Sequence, residues 1–86
     1  MKNYITERAT WNLKRVFYHF AEATKELQEG NPSMALWFTN EATQRIAELM
    51  QIKTLADCNN EQIDFMQITR EAMKLAREEM KQEQNN

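Results

Sequence analysis

The sequence predicts an all-α protein: a small three-helix bundle, up-down-up, with short loops, assembling with copies of itself. Three observations lead there. The 86 residues are rich in Ala, Glu, Gln, Lys, Leu and Met, all good helix formers, and one Gly and one Pro leave little turn chemistry for β-hairpins. Apolar residues recur at steps of three and four through three long stretches. The segment Gly30-Asn31-Pro32-Ser33 is a clear boundary between the first two stretches. A chain of this length is expected to form one domain that buries a limited fraction of its surface.

The first helix is expected over residues 4–29 and carries two apolar faces. One reads Ala9, Leu13, Val16, Phe20, Ala23 and Leu27, the ordinary spacing of a core stripe. The other reads Tyr4, Trp11 and Tyr18, each seven residues after the last and so on one line roughly opposite the first. Gly30 is placed to take the left-handed conformation that closes the helix. Asn31 then reads as an N-cap and Pro32 as the first residue of the second helix, where its missing N–H costs nothing. The short connection makes the first two helices antiparallel neighbours.

The second helix is expected over residues 32–53, with Ala35, Phe38, Ala42, Ile46 and Leu49 facing the core. Leu36, Ala47 and Met50 widen its apolar surface enough to touch two neighbours, and Trp37 falls among Glu41, Gln44, Glu48 and Gln51. Residues 54–60 either extend this helix or turn, and Asn59 or Asn60 reads as the cap of the third helix. That helix is expected over residues 61–82, with a stripe of Phe65, Ile68, Ala72 and Leu75. Met66, Met73 and Met80 recur at sevens beside it, mainly as core filling, and residues 83–86 form a tail without apolar anchors that should fray.

The junction of the first two helices resembles half of a tetratricopeptide hairpin through Gly30, Ala35 and Ala42. The large aromatic and Leu positions expected earlier in that repeat are taken by His19, Glu22 and Glu26. No repeat is assigned.

Catalytic and metal chemistry has little to work with. His19 is the sole histidine and Cys58 the sole cysteine, too few for zinc, and there is no second His for a carboxylate-bridged bundle site. The pair Arg15 and His19 lies one turn apart, but no second pair accompanies it. No Gly-rich phosphate loop is present. The expectation is a non-enzyme without cofactor or metal. A lone cysteine fits a reducing compartment, and with no apolar run of membrane length or signal segment the expected location is cytoplasmic.

Net charge is −2, divided unevenly: residues 1–19 carry +3 and the remainder −5. This polarity favours self-association or an anionic partner near the first helix. Packing within one small bundle explains Tyr4, Trp11 and Tyr18 least well, since burial between the other two helices would use a contiguous face. Tyr and Trp are also enriched in binding hot spots. The expected function is therefore protein–protein interaction as a small regulator, inhibitor or adaptor working as a homo-oligomer. The candidate partner-binding residues are Tyr4, Arg8, Trp11, Lys14, Arg15, Tyr18, Trp37, Met66, Met73 and Met80. The alternative is a small anionic ligand or a nucleic acid on the aromatic and basic patch of the first helix, against which stand the nearby Glu7, Glu22, Glu26 and Glu29.

Overall fold

A computed structural model describes residues 4–84, which form α1 (Tyr4–Gln28), α2 (Pro32–Cys58) and α3 (Phe65–Gln84), with no strand among the described residues. The chain runs up-down-up. Ile52, Arg45 and Phe38 of α2 meet Ile5, Trp11 and His19 of α1 in reverse order, so these helices are antiparallel. Leu75, Glu79 and Glu83 of α3 meet Thr10, Lys14 and Tyr18 in the same order, so α3 runs parallel to α1.

Helix ends follow backbone chemistry. Gly30 has φ +81°, and its N–H bonds the carbonyl of Leu27 while that of Asn31 reaches Glu26, the paired bonds of a Schellman stop. The Asn31 carbonyl accepts from Ala35 N–H, but its side chain donates to Glu26 Oε2 at 3.0 Å instead of capping α2. The second stop corrects the sequence reading, because α2 continues past residue 53 to Cys58. Asn60, at φ 57°, closes it with the same pair of bonds, Asn60 N–H to Asp57 and Glu61 N–H to Ala56.

Consequently neither Asn59 nor Asn60 caps α3. Asp64 does, accepting the backbone N–H of Gln67 on Oδ1 at 3.1 Å, and α3 starts at Phe65 rather than residue 61. At its far end α3 continues through Gln84, so the first half of the expected frayed tail is helical; residues 85–86 lie outside the described residues.

The three helices make a slab. Its Cα extents are 46 × 25 × 17 Å, little more than one helix thick. Helix α1 is the middle layer, and α2 and α3 flank it with no Cα of one within 8 Å of the other. All three contribute to one cluster beside the α2–α3 connection, where Ala9, Ile52 and Ile68 are enclosed by Ile5, Leu13, Leu49 and Ile63.

What is buried is small. Among the described residues the buried apolar ones are seven alanines, Val16, Ile52 and Ile68, and no aromatic residue or leucine is among them. Alanine lets helix axes approach closely but removes little surface from water. Several residues expected in the core are instead exposed: Phe20 at 42%, Leu27 at 62%, Ile46 at 39% and Phe65 at 37%. The physical reason is that a slab covers each outer helix from one flank only, and a three-step, four-step stripe is wider than that flank.

Candidate functional site

The slab has two broad sides of opposite character. On one side α1 presents Tyr4, Arg8, Trp11, Arg15, Tyr18 and Glu22, which share a line because they recur at three, four and seven. Here charged side chains of the neighbouring helices close over the aromatic rings. The Arg45 guanidinium of α2 sits over Trp11, 5.1 Å from its centroid, and Nη1 donates to Glu48 at 3.0 Å. The Arg15 guanidinium sits over Tyr18 at 4.8 Å. Glu79 of α3 accepts from Lys14 at 3.3 Å and from Arg15 at 3.2 Å. The Tyr18 hydroxyl donates to Glu83, and burial followed by the Glu83 hydrogen bond and charge raises its pKa well above the ordinary 10.

The sequence-predicted patch is thus brought together, and its members are satisfied within the chain. Lys14, Arg15 and Arg45 each face a carboxylate within 3.3 Å. Arg8 Nη1 donates to the Tyr4 hydroxyl at 3.4 Å, and Tyr4 stays 69% exposed above a groove with Ile5, Arg8, Glu48, Ile52 and Leu55. Trp11 remains 47% exposed. Trp37 stands apart near the start of α2, edge-on to Phe38 at 5.1 Å, and Phe38 in turn meets His19 at 6.0 Å.

A polar layer lies beneath this side. Asn12 and His19, two turns apart on α1, are 1% and 4% exposed, and the charge of Arg45 on α2 is felt at His19. Asn12 Oδ1, His19 Nδ1 and Arg45 Nε have no hydrogen-bond partner among the described residues. Arg15 Nη2, which can only donate, approaches His19 Nε2 at 3.5 Å. Burial, then the charge of Arg15, lowers the His19 pKa below 6.5; Glu41 opposes this, Arg45 adds a smaller lowering, and Glu79 opposes least. His19 is therefore a buried group whose neutral form is favoured, with the Arg15 guanidinium beside it.

The other side is apolar. Phe20 lies nine residues after Trp11, about 180° around α1. Leu13, Phe17, Thr24 and Leu27 share its side. On α2, Ile46 follows Arg45 by about 100°, which carries it away from Trp11 to this same side, with Thr39, Thr43 and Met50 along the adjoining stripe. On α3 the methionines turn this way, since Met73 and Met80 line a groove with Phe17 of α1, Ala76 and Arg77. Met66 is 69% exposed and Met73 42%, which corrects their reading as mainly core; Met80 is half-buried. No acidic residue of α1 points this way.

The residues this side adds to the sequence reading are Phe20, Leu27, Ile46 and Met50. For Ile46 and Met50 the sequence signal was α2 itself, whose apolar residues run most of the way around the helix, whereas Phe20 and Leu27 of α1 belong to a stripe with ordinary core spacing. Among the described residues no group of His, Cys, Asp and Glu is arranged to hold a metal ion, and no helix is long and apolar enough to cross a membrane. In comparisons with protein families, with curated proteins and with solved structures, the chain found no match.

Proposed function

We propose that this protein is a non-enzymatic protein–protein interaction module that works as a homo-oligomer through the apolar side of its slab. The observation that carries the reading is the inverted distribution of apolar bulk. Seven alanines fill the core while Phe20, Leu27, Ile46 and Met50 remain 39–68% exposed. Fully burying a side chain of that size is worth about 1.5–3 kcal/mol. Apolar side chains of this size left exposed on one side of a thinly cored chain support an association site there. The lone exposed Cys58 is compatible with a reducing, cytoplasmic setting.

The anionic-ligand alternative draws less support, because Glu79 and Glu48 already occupy the cations beside Trp11 and Tyr18. A nucleotide or phosphate would have to displace those carboxylates.

Sedimentation velocity on three proteins tests the reading. The double variant Phe20→Glu, Ile46→Glu is expected to sediment as a single chain with its helical circular dichroism retained. Tyr4→Ser, on the aromatic side, is expected to sediment like the unaltered protein. The reverse pattern would move the interface to the Tyr4/Trp11/Tyr18 line.

A further inference from the structure

The outer margin of α3 carries a feature that self-association of the apolar side does not use. Arg70, Lys74, Arg77 and Lys81 recur at four, three and four, a single stripe, and all four are exposed. None has a carboxylate within 4.0 Å among the described residues, whereas Lys14, Arg15, Arg45 and Lys53 all do. The Arg70 Nε donates to the Met66 carbonyl at 3.3 Å, and the side chain is exposed. Glu79 is turned toward α1 and neutralises Lys14 and Arg15 instead.

This basic stripe borders the groove of Phe17, Met73, Ala76 and Met80, with Arg77 belonging to both. From Met66 to Lys81 the combined surface runs about 22 Å, the length of four helical turns. Its floor is apolar and adaptable, since methionine repacks around unlike side chains. Its rim is cationic along one edge only.

We infer that this groove receives an acidic amphipathic helix of a partner protein, its apolar residues seated on Phe17, Met73 and Met80 and its carboxylates along Arg70, Lys74, Arg77 and Lys81. The inference rests on the apolar side being an interface. Charge complementarity chooses the occupant: an unneutralised basic edge beside an apolar floor favours a helix whose apolar face is flanked by Glu or Asp. A nucleic acid fits less well, because the aromatic ring lining this groove with Arg77, Phe17, is half-buried in its floor, and no series of rings accompanies the four cations for successive bases to stack on. A lipid surface fits less well because the apolar residues line a groove between two helices rather than a projecting ridge.

Fluorescence anisotropy with two labelled helical peptides tests it. One peptide has Leu at every third and fourth position flanked by Glu, and the other has each Glu replaced by Lys. The Glu peptide is expected to bind at least about tenfold more tightly than its Lys counterpart, and to weaken as salt rises. The double variant Arg70→Glu, Arg77→Glu is expected to lose at least about tenfold in affinity for it while keeping the oligomer mass of the unaltered protein. Equal binding of both peptides, no binding of either, or binding indifferent to the double variant would overturn the inference. So would a smaller mass for that variant, which would mean a second copy covers the stripe, or preferential binding to phosphatidylserine vesicles. If the unaltered protein is a single chain yet binds the Glu peptide, this inference stands and self-association fails. If it is an oligomer that ignores the peptide, self-association stands and this inference fails.

Discussion

The guanidinium of Arg45 lies over the ring of Trp11, 5.1 Å from its centroid, while the same side chain donates to Glu48 at 3.0 Å. One arginine thereby ties the middle helix to α2 and covers part of an indole that would otherwise face water. Arg45→Ala is expected to lower stability by about 0.5–2 kcal/mol, the range for a partly exposed cation–π contact with its accompanying ion pair. Urea unfolding followed by circular dichroism checks this. A loss below a few tenths of a kcal/mol would mean that the contact contributes nothing.

Ala42 is fully buried between α1 and α2, whereas Ala47, less than two turns on, faces outward. Ala42→Leu forces extra methylenes into a close helix pair and is expected to cost about 1–3 kcal/mol. Ala47→Leu is expected to change stability by no more than about 0.5 kcal/mol. Equal effects in urea titrations would contradict the slab arrangement.

Acid is expected to weaken the α1–α2 contact through His19. Its folded pKa lies below 6.5, so the unfolded chain takes up the proton first as pH falls. The stability that neutral His19 carries is fully present above 6.5 and is lost progressively below it, levelling off once pH passes the folded pKa. The slope from this one group is at most about 1.4 kcal/mol per pH unit. Urea midpoints at intervals from pH 7.5 to 5 should therefore fall in the native protein, with His19→Gln showing a smaller decline. A decline of equal size in both would remove His19 from the explanation.

The two helix stops differ in one atom group and give a paired test. Gly30 adopts φ +81°, and an added Cβ there would meet nothing within 4 Å, so Gly30→Ala strains only the backbone and is expected to cost about 1–2 kcal/mol. Asn60 holds the same kind of conformation at φ 57° and already bears that strain in part, so Asn60→Gly is expected to stabilise by up to about 1 kcal/mol. Thermal unfolding of the two variants checks the opposite signs.

What the sequence made legible was local. Gly30 and Pro32 marked the first turn because a left-handed stop and a proline-led start are written in single residues. The end of α2 was harder: Asn60 did the work of a glycine, and Asp64, rather than either asparagine, held the free N–H groups of α3. Periodicity also identified both apolar faces of α1, but it could not rank them. Which face a neighbouring helix covers depends on how three helices cross, and on how far Arg15, Arg45, Glu79 and Glu83 reach over Trp11 and Tyr18. Long charged side chains carry apolar stems, so they can cover rings on a side that reads as polar. The stripe of ordinary spacing is split: Ala9, Val16 and Ala23 are buried, while its edge at Phe20 and Leu27 is left uncovered.

Solution mass tests the central claim most directly. Light scattering on the eluting protein, repeated across a wide range of loading concentrations, should give an integral multiple of the 10.3 kDa chain mass, falling toward a single chain only on strong dilution. A mass of one chain at every concentration would contradict the account, because Phe20, Leu27, Ile46 and Met50 would then face water permanently.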